Sequence, residues 1–259
     1  MDSVRSMRDQ IQKATDLLDG AGPILVFSGA GISTESGIPD FRGPNGLWTK
    51  LDPDDFTIER FLADPEIRQR SWQTFIESRK LAGPIAPNRA HYAVTELWRQ
   101  GLMGGCVTQN IDGLHQAAGL PPDEVVELHG HLREVRCINC RRASATEAIV
   151  TRVEQGETDP RCEVCGGILK TATVMFGEYL PENEVARARR FADAAGAVLA
   201  VGSTMSVYPA VNIALSVVDR GRPLVIVNMG PTDADEVASV RVDGMAGEVL
   251  PSLVAALTE

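Results

Sequence analysis

The sequence predicts a doubly wound α/β fold carrying a smaller appended domain, and three observations predict it. Short aliphatic runs at 24–27, 103–107, 125–128, 197–201 and 224–227 are each closed by Gly, Asn, Thr or His. Helical patterns at 90–99, 182–194 and 207–219 lie between several of these runs, after a first helical stretch at 9–18. Two segments, 49–87 and 133–170, break the alternation. Apolar runs this short, without polar alternation, read as strands buried on both faces of a parallel sheet. Repeated strand–helix order makes that sheet doubly wound and Rossmann-like. The segment 49–87 places Phe56, Phe61, Trp72, Phe75 and Ile76 at helical spacing and reads as an inserted helical module. The segment 133–170 holds four of the five cysteines and has little strand–helix regularity. The expected division is therefore a main domain of 1–48, 88–132 and 171–259, with 49–87 and 133–170 together forming the small domain.

With 259 residues, the chain suits one large domain and an appendage. Its 44% hydrophobic and 23% charged residues are those of an ordinary globular protein. No apolar run approaches the ~18–20 residues that cross a bilayer, so no membrane partner is expected. The first ten residues mix charges of both signs and lack the apolar core of a secretory signal, so a cytoplasmic, reducing setting is expected. A net charge of −10 disfavours non-specific nucleic-acid binding, which needs Lys and Arg to neutralise phosphates. That acidity suits a lysine-rich partner, but it equally serves solubility alone.

Cys137-x2-Cys140 and Cys162-x2-Cys165 are two pairs with the spacing of zinc knuckles. Two thiolates three residues apart grip one ion from a tight turn, and the second pair completes a tetrahedron. Four protein ligands leave no open coordination position, so one structural Zn is expected rather than a catalytic one. Two disulfides are the competing reading, which a reducing setting disfavours. Arg136, Arg141, Arg142 and Arg161 surround the cysteines and favour thiolates. A nucleic-acid-binding ribbon is disfavoured by the acidic chain and the lack of interleaved aromatics. Cys106, alone in a predicted strand, reads as a small buried hydrophobe.

The first predicted strand feeds into Gly29-Ala30-Gly31-Ile32-Ser33. Glycines at a strand end let backbone amides approach a phosphate, aided by the positive end of a following helix. Two departures disfavour a hydride-transfer enzyme. Thr34 replaces the third glycine of the dinucleotide fingerprint, and the acidic residues Asp52, Asp54 and Asp55 lie in a polar, Pro-containing stretch rather than at a strand end.

The run Gly29-Ala30-Gly31-Ile32-Ser33-Thr34-Glu35-Ser36-Gly37-Ile38-Pro39-Asp40-Phe41-Arg42-Gly43 closely resembles the signature of the sirtuin family. Thr108-Gln109-Asn110-Ile111-Asp112-Gly113-Leu114-His115 and Glu127-Leu128-His129-Gly130 match further motifs. The four cysteines follow, then Val174-Met175-Phe176-Gly177-Glu178, Gly202-Ser203-Thr204 with Val207 and Pro209, and Val227-Asn228. The motifs occur in the family's order over nearly the whole chain.

The resemblance implies an NAD-dependent protein-lysine deacetylase or deacylase. Such an enzyme passes the acyl group from lysine to ADP-ribose and releases nicotinamide. Its partners would be acyl-lysine proteins or peptides and NAD as co-substrate. His129 is the implied catalytic base, since an imidazole titrates near neutrality and stands here at a predicted strand end before Gly130. Asn110 and Asp112 resemble the pair that binds the nicotinamide amide, with Ile111 between them and Gln109 near the ribose. Gly29, Ala30 and Gly31 resemble the pyrophosphate turn. Asp40, Phe41 and Arg42 resemble a mobile loop that keeps water from the reactive ribose carbon, with Trp48 also on the cofactor side. Gly202 and Ser203 resemble the site for the adenosine half and Asn228 that for its ribose, with Thr204, Ser206, Met229 and Ala246 as further implied cofactor-binding residues. The family often reads Gly-Thr-Ser where this chain reads Gly-Ser-Thr, and both orders offer a hydroxyl. Val174, Phe176, Gly177, Glu178 and Val207 resemble the substrate channel, where an extended peptide adds as a strand. Core packing is the alternative for Phe176 and Val207. His91 and His131 read as residues without a chemical role, and His115 as packing or positioning.

Branches that remove acidic acyl groups carry a Tyr-x-x-Arg pair in the helical insertion. An ungapped reading puts Phe75 and Ser78 there, which favours neutral groups such as acetyl. Protein mono-ADP-ribosyltransfer on the same scaffold is the alternative activity, because it too begins with nicotinamide loss. A non-catalytic reader is disfavoured by the presence of Asn110, Asp112 and His129 together.

Overall fold

The computed structural model describes residues 2–43, 46–82 and 85–258, so Pro44, Asn45, Gly83 and Pro84 of the expected segments lie outside the described residues. The strands are β1 (Ile24–Ser28), β2 (Met103–Thr108), β3 (Val125–Glu127), β4 (Gly130–Cys137), β5 (Ala143–Ala145), β6 (Leu169–Thr173), β7 (Ala197–Val201), β8 (Leu224–Asn228) and β9 (Val240–Asp243). The helices are α1 (Asp2–Leu18), α2 (Ile58–Ala63), α3 (Pro65–Ala82), α4 (Arg89–Arg99), α5 (Leu114–Ala117), α6 (Thr146–Glu154), α7 (Glu182–Ala194), α8 (Val211–Val218) and α9 (Ala246–Thr258). The chain divides into two compact units. One comprises Met1–Asp40, Ala86–Leu128 and Pro181–Glu259, the other Phe41–Ile85 and His129–Leu180. Among the described residues, no helix is long and apolar enough to cross a membrane.

The first unit is built on a parallel sheet ordered β3-β2-β1-β7-β8-β9. Every residue of β1, β7 and β8 is buried, as strands covered on both faces require. The α1, α4 and α9 helices pack together, and their Leu18, Leu97 and Leu253 share a core with Ile24, Val26, Leu199 and Val225 of the strands. The α7 and α8 helices pack against each other and contact β2 and β7, respectively. The edge strand β9 was not among the predicted runs. Its Val-Arg-Val-Asp alternation is short, half polar and borders a loop, so no continuous apolar signal marks it. The α8 helix starts at Val211 rather than 207, consistent with the bias of a residue preceding proline, here Tyr208, away from helical backbone.

The second unit holds the antiparallel sheet β5-β4-β6. The segment expected to lack regularity thus contains three strands and α6. Their sequences are short and of mixed polarity, and β4 pairs with β6 across some thirty intervening residues, which local periodicity does not register. Trp72 of α3 packs with Val135, Ile149 and Leu169, and with the cysteines Cys137 and Cys162. Arg68, only 3% exposed, joins the helical and cysteine-bearing segments. Its Nε and Nη2 donate to both oxygens of Asp159 at 3.0–3.1 Å, and Nη1 donates to the carbonyls of Phe61 and Leu62 at 3.0 Å. Four of the five guanidinium hydrogens are used in this geometry, which makes it a strong arrangement for a buried cation. Removing one member of such a pair strands the other charge. Arg68→Leu should therefore lower the stability of this unit by roughly 3–5 kcal/mol, read as a shift in the urea midpoint.

Candidate active site

The chain passes from β1 to β2 and β3 on one side, then returns through β7 on the other side of β1. The carboxyl ends of β1 and β7 are therefore the point at which strand order reverses, where open α/β sheets bind ligands. There the Gly29 N–H donates to Val201 O at 3.0 Å and the Gly31 N–H to Gly202 O at 2.8 Å. A Cβ on Gly31 would lie 2.7 Å from Gly202 Cα, and one on Gly202, whose φ is +58°, would lie 2.2 Å from the Ile32 nitrogen. Only glycine lets these two backbones touch. The helix that follows Gly29 is a 3-10 run, Ala30–Ser36. Its Gly31, Thr34 and Ser36 are weak helix formers, and Gly37 ends it at φ 86°.

Asn110 and Asp112 meet this loop through Ser33. Asn110 Nδ2 donates to Gly29 O at 3.2 Å and to Ser33 Oγ at 3.1 Å, while Ser33 Oγ donates to Asp112 Oδ2 at 2.7 Å. Asp112 Oδ1 accepts the Leu114 N–H at 2.9 Å, which fixes the carboxylate at the start of α5. Behind them, His91 Nε2 lies 3.4 Å from Ser33 Oγ. The Asn88 N–H donates to His91 Nδ1 at 3.3 Å in the capping box of α4. Ser28, Thr108 and His115 continue the buried polar cluster. Ser33, Ser28 and Thr108 had no role of their own in the sequence reading, and His91, read there as without a chemical role, stands against Ser33 in the structure. The Asn88-x-x-His91 spacing before an apolar helix was the one available signal, as a capping pattern.

On the β7 and β8 side, Gln109 Nε2 donates to Ser203 Oγ at 2.9 Å, and Ser203 Oγ also accepts the Met205 N–H at 3.1 Å. Thr204 and Ser206 share a hydroxyl bond of 2.8 Å. Asn228 Nδ2 donates to Met229 O and Gly230 O, both at 3.1 Å, shaping the turn that leaves Met229 exposed. Ala246 opens α9, where the Gly247 N–H donates to Glu35 Oε2 at 2.6 Å. That carboxylate at the helix start ties the glycine loop to α9. Ile111, Asp40 and Val207 are half-buried.

In the second unit, His129 precedes β4 in the chain and is half-buried, and its carbonyl accepts the Val174 N–H at 2.8 Å. Gly130 follows at φ 75°, where a Cβ would lie 2.0 Å from Ala172 O, so the turn after His129 requires glycine. Trp48 stacks within ring-centroid distances of 5.2 Å to Phe41, 5.1 Å to Phe56 and 6.0 Å to Phe176. Phe176 keeps its ring half-exposed while its N–H donates to Phe56 O at 3.0 Å and its carbonyl accepts from the Ile58 N–H at 2.9 Å. Arg42 is exposed. Glu178 Oε2 accepts the Met175 N–H at 2.7 Å and pairs at 2.9 Å with Lys170, which is 8% exposed and also donates to Thr173 O. This carboxylate braces the Val174–Gly177 turn.

The four cysteine sulfurs lie within 4.8 Å of one another, with 3.5 Å between Cys137 and Cys165 and 3.7 Å between Cys140 and Cys162. A zinc tetrahedron with ~2.3 Å arms has edges of about 3.8 Å, so the donors fit the ion. The Cys140 N–H lowers the Cys137 thiol to about 6, and the amides of Val164 and Cys165 lower Cys162. The Gly167 amide favours a Cys165 thiolate, yet facing Cys137 and Cys140 push Cys165 up to about 12. A dication among four sulfurs relieves that crowding.

Structural zinc contributes roughly 10–16 kcal/mol, against about 1.5–3 for one large apolar side chain. Chelation, or Cys162→Ser, should therefore unfold the second unit while the first keeps its cooperative melt, as hydrogen exchange resolved by segment will report. Acid should act on the first unit. Burial lowers His91 to about 4, against the opposing pull of Asp112. Burial, reinforced by repulsion from His91, lowers His115 to about 3. Below their ordinary 6.5 the unfolded chain binds protons that the folded chain excludes. Stability is then fully present above pH 6.5 and falls as pH drops toward 4, which urea midpoints at pH 7 and pH 5 will test.

Residues 29–209 match the model of the Sir2 family. NAD-dependent protein deacetylase 2 of Streptomyces coelicolor is 44% identical over 243 residues, covering 93% of this chain and 100% of that protein. NAD-dependent protein deacylase 2 of Archaeoglobus fulgidus is 41% identical, covering 96% of each. A solved structure from work on the mechanism and regulation of Sir2 enzymes superposes with a TM-score of 0.87 at 40% identity, covering 96% of this chain and 98% of that one. A Sir2 variant solved with a deacetylated p53 peptide and 3′-O-acetyl ADP ribose superposes at 0.86 and 33% identity, covering 95% and 97%. The chain therefore belongs to the Sir2 family, the sirtuins.

Proposed function

We infer that this protein is an NAD-dependent protein-lysine deacetylase, transferring the acyl group from lysine to ADP-ribose with release of nicotinamide. The observation that carries the reading is the Asn110–Ser33–Asp112 cluster held against the Gly29 carbonyl at the switch point of the sheet. A bound NAD would supply a cationic nicotinamide that leaves its ribose readily, opening the ribose carbon to an acyl-lysine oxygen.

The chain's residues divide the remaining tasks. Gly29, Ala30 and Gly31 would take the pyrophosphate on backbone amides. Both Nδ2 hydrogens of Asn110 are committed to the protein, so its Oδ1 and the Asp112 carboxylate would meet the nicotinamide amide beside Ile111. Gln109 would lie at the ribose, and Gly202, Ser203, Thr204, Ser206, Asn228, Met229 and Ala246 would hold the adenosine half. Asp40, Phe41, Arg42 and Trp48 would exclude water from the reactive carbon and meet phosphate. His129 would remove the proton that lets a ribose hydroxyl break down the acylated intermediate. Val174, Phe176, Gly177 and Val207 would line the acyl-lysine path, with Glu178 acting through its bond to Met175 to hold that turn.

Neutral acyl groups fit best. The four arginines of the helical insertion, Arg60, Arg68, Arg70 and Arg79, are each paired with a carboxylate of the same unit. Phe75 packs on Trp72 rather than offering a polar group. The reading places one structural Zn on Cys137, Cys140, Cys162 and Cys165, supported by sulfurs spaced for a shared ion, and the protein in a reducing, cytoplasmic setting.

Mass spectrometry of an acetyl-lysine peptide tests the reading. Loss of acetyl only with NAD, with nicotinamide and acetyl-ADP-ribose in equal amounts, is expected. Nicotinamide release with the peptide still acetylated would instead point to ADP-ribosyl transfer or NAD hydrolysis. His129→Ala should lower turnover by roughly a hundred- to ten-thousand-fold with zinc content and melting unchanged; normal turnover would remove His129 as the base.

A further inference from the structure

His115 is buried in α5 and takes no part in the chemistry described above. Its Nε2 lies 2.9 Å from Ser28 Oγ at the end of β1. Ser28 Oγ donates to Thr108 Oγ1 at 2.8 Å, and Thr108 Oγ1 accepts the backbone N–H of Asn110 at 3.1 Å. His115 Nδ1 is buried without a hydrogen-bond partner. A proton on that nitrogen would be a stranded buried donor, a rarer and costlier omission than an unused lone pair. The ring therefore carries its proton on Nε2. Ser28, whose own hydrogen goes to Thr108, accepts it. Donation runs one way, from His115 to Ser28 to Thr108, and leaves the Thr108 oxygen to receive the Asn110 amide.

We propose that His115 is a positioning residue for Asn110: through Ser28 and Thr108 it sets the direction of the Asn110 backbone, and so the aim of the carboxamide that meets nicotinamide. The proposal rests on the nicotinamide role given to Asn110 above. Two anchors then hold Asn110, the relay at its backbone and the Gly29 and Ser33 contacts at its side chain. Removing the relay leaves the side-chain anchor but frees the peptide that carries it. Burial keeps the imidazole neutral well below physiological pH, so the donor is constant. The T-shaped contact with His91, 5.2 Å between ring centroids, limits rotation of the ring.

The test uses the full-length, zinc-loaded protein and the variants Ser28→Ala, His115→Phe, His115→Gln and the double Ser28→Ala/His115→Phe. Ser28→Ala and His115→Phe should each lower kcat/KM for NAD and weaken inhibition by nicotinamide roughly tenfold, the loss of about one buried hydrogen bond. KM for the peptide should stay unchanged. The double variant should match either single one, because both cut the same relay. His115→Gln, whose amide can donate from near the Nε2 position, should restore most of the loss. Melting and zinc content report folding, and Ser28→Ala carries the test if His115→Phe does not fold. Effects that add in the double variant, or a folded Ser28→Ala with normal nicotinamide inhibition, would overturn the proposal. Wild-type protein without NAD-dependent turnover would overturn the deacetylase reading and this proposal with it. A working wild type beside an unchanged Ser28→Ala overturns this proposal alone.

Discussion

The main chain of Gly29–Gly31 touches the main chain of Gly202, and much of the first unit depends on that approach. Two hydrogen bonds, from the Gly29 N–H to Val201 and from the Gly31 N–H to Gly202, hold the ends of β1 and β7 in register where strand order reverses. A single methyl group at Gly31 or Gly202 would sit well inside van der Waals contact with backbone. The Gly29 carbonyl is also an anchor for Asn110. The turn that would receive a pyrophosphate and the residues that would hold a nicotinamide are thus positioned by one backbone contact.

Around that contact the protein buries polar groups, and burial decides their protonation. His91 and His115 are sealed in the interior, where desolvation outweighs the pull of Asp112 on His91 and joins repulsion from His91 at His115, so both rings are held neutral. Neutral imidazoles supply fixed donors and acceptors without adding charge behind Asn110 and Asp112. A partly satisfied cluster of this kind would cost more than an apolar core, and within it, among the described residues, His115 Nδ1 stands unpaired.

The second unit solves a different problem with a different interaction. Its apolar core is small and includes two of the cysteines, so the core and the metal cage are one structure. Of its buried or half-buried ion pairs, Arg68 with Asp159 joins segments distant in sequence, and Lys170 with Glu178 ties β6 to the turn that follows it. The second pair holds the turn bearing Phe176, whose main chain is in turn bound to Phe56 and Ile58. Position in this unit is carried by charge and metal, where the first unit relies on backbone packing.

The alternation of buried strands with amphipathic helices, the paired cysteines and the ordered motifs around Gly29, Asn110 and His129 were all legible in the amino-acid order. Each is a local pattern, set by residue type at short spacing. The edge strand β9 and the β4-β5-β6 sheet were not legible, because their short mixed sequences become strands only when a partner from elsewhere supplies the hydrogen bonds. Nor were Ser33, Ser28 and Thr108 as the links between motifs, or Lys170 as the counter-charge of Glu178. A serine or lysine looks alike in sequence whether solvated or buried. What the sequence determined was which chemical groups exist and which local shapes they prefer. What only the tertiary structure decided was which of those groups lose water together, and removal of water is what makes a distant hydroxyl or ammonium a specific partner.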